Sequence, residues 1–309
     1  MTSETKGKTH TLRIMNDIRE FYEENIDGIY IVPEDNDICL IHALVIGPPE
    51  TPYENGFFYF VLKFPDTYPL KPPNVQIRTT GRKTVRFNPN LYANGKVCLS
   101  ILGTWEGPSW CSSQTILSTL VSIRSLMDAN PYYNEPGHEK KHSRTDKNGE
   151  IEKRVSDYNN IIVHETLRVA VAEMLQEHNT DTFGMPSALR EIMISYFKTN
   201  YQFYENVIES NRGMDGQLVN DPYRDIHRPK TFDYKRILEK IVKLKETLSD
   251  VDENSTLTYK TISMKTLKAS NRDVLKSKEC CDDFMDYIEV DENDEDADAL
   301  YDPESDDNE

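Results

Sequence analysis

Cys98 and Asn90 are the residues of this chain whose types and spacing could do covalent chemistry. A cysteine is a soft nucleophile, and a nearby amide donor can support the oxyanion formed when sulfur attacks an acyl carbon. Between them lies Asn94-Gly95, the dipeptide best suited to a two-residue type I′ turn, whose central positions both need positive φ. Such a turn sets Ala93 opposite Lys96, Tyr92 opposite Val97 and Leu91 opposite Cys98, with Asn90 beside the sulfur. The pattern points to acyl transfer through a thioester. A cysteine hydrolase needs a base and its orienting partner, and no His with an Asp or Glu has a suitable spacing here. If the acceptor is a lysine, its ordinary pKa of about 10.4 means that it must lose a proton to attack.

The composition narrows the class further. The chain has 309 residues, room for one large or two ordinary domains. Its net charge is −17, and residues 282–309 hold 15 acidic residues with no Lys or Arg, leaving −2 for the rest. Such a tail buries too little apolar surface to fold alone, so disorder is expected there. An acidic chain is a poor candidate for nucleic-acid phosphates. The cysteines are Cys39, Cys98, Cys111, Cys280 and Cys281. None has zinc-ligand spacing, so no metal is expected. Their odd, scattered count fits a reducing compartment, cytoplasm and nucleus. The first ten residues are polar, and no run of about 18 apolar residues offers a membrane span.

Certain elements must hold Cys98 and Asn90 in place. Residues 12–24 read as an amphipathic helix with Ile14, Ile18 and Phe21 on one face. Strand-like runs follow at 28–32, 38–46, 57–64 and 74–79, separated by Pro, Asp, Asn and Gly, as a four-stranded antiparallel meander requires. Seven of the 16 prolines lie at 48–73 and fix the loops, with Tyr68-Pro69 a candidate cis bond. Beyond Cys98, Ser112 or Ser113 could cap a helix carrying Ile116, Leu120, Ile123 and Met127. Residues 137–156 read as a polar loop, with His138 and His142 solvated. Helical patterns then run over 160–176, 187–209 and 234–248, and their apolar faces need a surface to pack on. Cys39 and His42 are expected as core residues, the histidine satisfied rather than catalytic.

The order is α+β, and it is also that of the ubiquitin-conjugating (UBC) fold. Gly47-Pro48-Pro49-Glu50-Thr51-Pro52-Tyr53-Glu54-Asn55-Gly56-Phe57-Phe58 resembles the Gly-Pro…Thr-Pro-Tyr-x-x-Gly-x-Phe segment of the ubiquitin-conjugating enzyme family. Phe64-Pro65-Asp66-Thr67-Tyr68-Pro69-Leu70-Lys71-Pro72-Pro73 is similar to its Phe-Pro…Tyr-Pro-x-x-Pro-Pro segment, and Val97-Cys98-Leu99-Ser100-Ile101-Leu102 to the stretch around its active cysteine. Asn90 stands eight residues before Cys98, as the Asn of the family's His-Pro-Asn motif does. Asn88 replaces the His, and with Tyr132-Tyr133-Asn134-Glu135-Pro136-Gly137 and the helical extension beginning at His164-Glu165 it resembles the Z-type branch of the family.

The composition gives a flexible leader at 1–8, a surface loop at 137–158 and a disordered acidic tail at 251–309, and the resemblance implies a catalytic core at 9–136 and a C-terminal helical extension packed on it at 159–250. It implies that Cys98 takes ubiquitin or a ubiquitin-like modifier from an activating enzyme as a thioester, then yields it to a substrate lysine or a ligase cysteine. Asn90 would serve as oxyanion donor or loop support, with Asn88, Pro89, Ser100, Tyr133 and Asn134 supporting the loop. Arg13 and Arg19 would meet the activating enzyme, and Leu70, Cys111, Ser112 and Ser113 a ligase. No cofactor is implied, since ATP is consumed upstream by the activating enzyme. The other reading is a catalytically silent, ubiquitin-binding adaptor of the same fold, which typically lacks the nucleophile.

Overall fold

The computed structural model describes residues 3–138, 149–176, 179–223 and 229–249. The first helix, α1, spans Ser3–Glu24. It begins well before residue 12 and takes in residues 3–8 of the expected leader. Once a turn is nucleated, each added residue gains a hydrogen bond without needing an apolar face. Ile14, Ile18 and Phe21 are buried as their spacing requires.

Four strands follow, β1 (Ile29–Pro33), β2 (Leu40–Ile46), β3 (Phe57–Lys63) and β4 (Asn74–Ile77). They pair antiparallel in sequence order, with Ile31, Ala43, Phe60 and Ile77 in one cross-strand row. One face, built on Ile31, Ala43 and Phe60, packs with α1 and with α2 (Ile116–Ser125). The other, built on Leu44, Ile46, Phe57 and Tyr59, packs with the C-terminal extension. Burial on both faces explains why β2 and β3 read as continuous apolar runs. His42 is buried there, with Nδ1 2.6 Å from the Tyr59 hydroxyl and Nε2 3.0 Å from Glu34. Burial lowers its pKa while Glu34 opposes that shift. Cys39 is also in the core, and Tyr68-Pro69 is cis.

The cap of α2 is Thr115, not Ser112 or Ser113. Thr115 and Ser118 bond each other's backbone N–H in a capping box. The Ser112 and Gln114 carbonyls are held instead by Arg13, both at 2.8 Å.

In the extension, α3 (Glu150–Glu165) starts inside the expected loop at 137–158. It runs on into a π-helical stretch, Thr166–Glu173, where the Met174 N–H reaches the Val169 carbonyl. The pattern over 187–209 divides into α4 (Ser187–Thr199) and α5 (Tyr201–Asn211), separated at Asn200, whose side chain donates to the Tyr196 carbonyl. The last helix, α6, spans Tyr234–Ser249. Polar latches join this extension to the core. Gly81, Arg82 and Lys83 all have positive φ, and the Thr80, Gly81 and Arg82 N–H groups all donate to the Asp181 carboxylate at 2.7–3.2 Å. Tyr204 and Tyr196 donate to the backbone and side-chain oxygens of Asn55, each at 2.8 Å. The expected tail at 251–309, with Cys280 and Cys281, and His142 lie outside the described residues.

Candidate active site

The arm carrying Cys98 turns differently from the type I′ expectation. The Gly95 N–H donates to the Tyr92 carbonyl at 3.1 Å and the Tyr92 N–H to the Lys96 carbonyl at 3.0 Å. Gly95 (φ 96) has positive φ and Asn94 does not. This is a three-residue loop closed by a glycine bulge. Two bonds favour it. Asn94 Oδ1 accepts the Lys96 N–H at 3.0 Å, and the Gly95 carbonyl accepts the Ile77 N–H at 3.0 Å, tying the arm to β4. The register slips by one, so Leu91 pairs with Val97 and Asn90 comes opposite Cys98.

Asn90 therefore meets the backbone of Cys98. The Cys98 N–H donates to the Asn90 carbonyl, and the Asn90 side-chain amide donates to the Cys98 carbonyl, both at 2.9 Å. Asn88 fixes Asn90 in turn. Its Oδ1 accepts the Asn90 N–H at 2.9 Å, while its Nδ2 donates to the Tyr53 hydroxyl at 3.0 Å and to the Leu126 carbonyl at 2.8 Å. The Tyr53 hydroxyl donates in turn to the Phe87 carbonyl at 2.8 Å. The Pro89 carbonyl accepts from Arg86 at 2.7 Å, and the same guanidinium nitrogen reaches Glu135 at 3.1 Å. On the far side of Cys98, the Thr104 hydroxyl accepts the Leu99 N–H at 3.0 Å and donates to the Val97 carbonyl at 2.7 Å. Ser100 opens the short turn Ser100–Leu102. Both flanks of Cys98 are held by side-chain bonds to backbone. Cys98 itself is 1% exposed.

Tyr133 and Asn134 belong to a single turn, Pro131–Asn134. Asn134 donates to the Leu126 carbonyl at 3.1 Å, the same oxygen that Asn88 uses. That shared acceptor brings the two segments together. His138, expected in solvent, lies stacked on Tyr132 with ring centroids 4.8 Å apart, because the extension brings Tyr223 to the same cluster.

Of the other candidates, Arg13, Leu70 and residues 111–113 lie together. Arg13 uses its guanidinium within the chain, on Asp17, Ser112 and Gln114, whereas Arg19 is exposed and, among the described residues, reaches Asn16 at 3.4 Å. Leu70 is 79% exposed. Trp110 donates to the Pro69 carbonyl at 2.7 Å, which sets Cys111, Ser112 and Ser113 near Leu70. The Cys111 thiol lies 3.3 Å from the Ser113 hydroxyl, a bond that lowers its pKa.

Tyr53, Arg86 and Thr104 support the loop without having been singled out for it. Tyr53 lies in the quoted Thr-Pro-Tyr segment, which was the available signal. Nothing in the spacing of Thr104 announces a bond across the loop. Among the described residues no group of three or more His, Cys, Asp or Glu could hold a metal, and no helix is long and apolar enough to cross a membrane.

A family model described as "Ubiquitin-conjugating enzyme" matches residues 13–159. Ubiquitin-conjugating enzyme E2 Z of Xenopus tropicalis is 44% identical over 247 residues, 80% of this chain and 74% of that protein. The chain belongs to the ubiquitin-conjugating enzyme family. Ubiquitin-conjugating enzyme E2 Z of Danio rerio is 45% identical over 77% of this chain and 69% of its own length, and that of Homo sapiens 46% identical over 74% and 61%. These alignments exceed the stretch of the family match, so the likeness to E2 Z proteins continues past the catalytic core. As a ubiquitin-conjugating enzyme, the protein is a transferase with a UBC fold, and partners of the ubiquitin-activating and ubiquitin-ligase classes follow from the family.

Proposed function

We propose that Cys98 is the acyl carrier of this enzyme. Its sulfur attacks the thioester carbonyl of ubiquitin or a ubiquitin-like modifier on an activating enzyme, and the activating enzyme's thiolate leaves. In the second step a lysine amine, having lost a proton, or a ligase thiolate attacks the new carbonyl, and the Cys98 thiolate departs. Thioester exchange is nearly balanced in energy, so alignment carries more of the burden than driving force. The observation that supports this reading is the paired Asn90–Cys98 bonding, two hydrogen bonds of 2.9 Å around the nucleophile.

In this reading Asn90 is chiefly a loop support, because its amide is already engaged by the Cys98 carbonyl. Arg19 is the better-presented activating-enzyme contact, and Arg13 acts by holding the Ser112–Gln114 carbonyls. Leu70 and residues 111–113 form the ligase-facing patch. No resident cofactor is required, and the scattered cysteines suit cytoplasm and nucleus. Incubation with ATP, ubiquitin or ubiquitin-like modifiers and a panel of activating enzymes tests the assignment. A thiol-sensitive adduct of one modifier mass is expected on the native chain and is absent from Cys98→Ala. No adduct with any pair would favour the silent adaptor.

A further inference from the structure

Tyr223 fastens the turn Pro131–Asn134 from one side, and the segment that leads to Cys98 fastens it from the other. A single turn of this kind has poor internal hydrogen bonding and takes its shape from what holds it. On one side, Asn134 shares the Leu126 carbonyl with Asn88, and Glu135 is bridged by Arg86 to the Pro89 carbonyl. On the other, the Tyr223 hydroxyl donates to the Tyr132 carbonyl at 2.8 Å. The Tyr223 ring stacks on Tyr132 (centroids 5.6 Å, 22°) and on His138 (5.8 Å, 11°), and meets the Tyr158 edge at 5.0 Å.

The extension is built to deliver this residue. Gln217 to Val219 and Lys230 to Phe232 exchange backbone hydrogen bonds as the two sides of an arm. Asn220, beyond that ladder, donates to Asp157 on α3 at 2.6 Å. Asp221 then accepts the Tyr223 N–H at 2.9 Å. The arm is thus fixed on both the ladder and α3 before it reaches Tyr132.

We propose that Tyr223 is a positioning residue for the transfer step, holding residues 131–135 against the Asn88–Pro89–Asn90 segment while acyl groups leave Cys98. The inference rests on the assignment of Cys98 as acyl carrier. It gives the extension a part in the reaction. Misplacing groups near reacting atoms by about 1 Å can slow chemistry on the order of 100-fold.

The test separates charging from discharge in the full-length chain. Cys98 is loaded with modifier, the activating enzyme is quenched, and release to free lysine is timed at several lysine concentrations. In Tyr223→Ala the melting temperature is expected to drop, because a stacked and hydrogen-bonded ring is lost, while below it the charging rate holds and the limiting discharge rate falls about tenfold with the lysine dependence unchanged. Tyr223→Phe, which keeps the stack and loses the hydroxyl bond, should recover most of that rate. Hydrogen–deuterium exchange should quicken in peptides covering 131–135 and 88–91 and stay constant in β1 and β2. Discharge and exchange like the native chain's in Tyr223→Ala would overturn the proposal. So would charging falling in step with discharge, which is the mark of a merely structural role. Failure of the native chain to charge would instead remove the acyl-carrier assignment, and the exchange arm would still show whether Tyr223 holds the turn.

Discussion

The Asn90 amide holds the Cys98 carbonyl at 2.9 Å, and this sets what its loss does. In Asn90→Ala that buried carbonyl loses its side-chain partner, at a cost of about 1–3 kcal/mol. Melting temperature, charging and discharge should therefore fall together in thermal denaturation and single-turnover assays. A donor acting only on an oxyanion would leave the melting temperature intact. A second outcome concerns thiols. Cys111 is exposed with a lowered pKa, whereas Cys39 and Cys98 are buried. Brief treatment of the native chain with iodoacetamide, followed by peptide mapping, should label Cys111 well before either. Cys98 and Asn90 were legible as a pair because their types and spacing are local facts. Their register was not, because the turn is chosen by the Ile77–Gly95 bond, which joins residues far apart in sequence.

Among the elements, the turn at residues 80–83 and the Asp181 carboxylate form the clearest latch between core and extension. Three successive positive-φ residues direct neighbouring N–H groups to one side, a concavity suited to an anion. Asp181→Ala leaves three N–H groups without their acceptor and should lower stability by about 2–3 kcal/mol in urea unfolding. Asp181→Asn, which retains an acceptor oxygen without the charge, should lose less. Only Gly81 hints at this turn in sequence, since Arg82 and Lys83 (φ 59 and 63) are residue types that seldom adopt such φ values. The strands and α2 were easier to read, because apolar periodicity and proline punctuation reflect burial directly. The helix boundary at Asn200 was not, since apolar residues continue across it and the side-chain bond to Tyr196 decides it.

For the whole molecule, acid is the condition that tests how core and extension depend on buried charge. Burial alone would raise the Glu165 pKa, but hydrogen bonds from His164 and Arg168, with the Arg168 charge, bring it down from 4.5 to about 2. Nε2 of His164 accepts the Asp233 N–H at 3.0 Å, so Nδ1 carries the proton that meets Glu165. A carboxylate with a depressed folded pKa stabilises above its ordinary pKa and loses that contribution as pH falls through the folded value. Roughly 3 kcal/mol should thus disappear between about pH 4.5 and about pH 2. Urea titrations across that range should show a smaller loss in Glu165→Gln. The arm that presents Cys98 also lies along the free side of β4, with Lys96 bridged to Gln76 and the Gly95 carbonyl taking the Ile77 N–H. An open strand edge is a template on which other chains assemble. The segment that carries the nucleophile is therefore also a guard against self-association. Variants that unseat it should scatter light as concentrated solutions before they lose their helices.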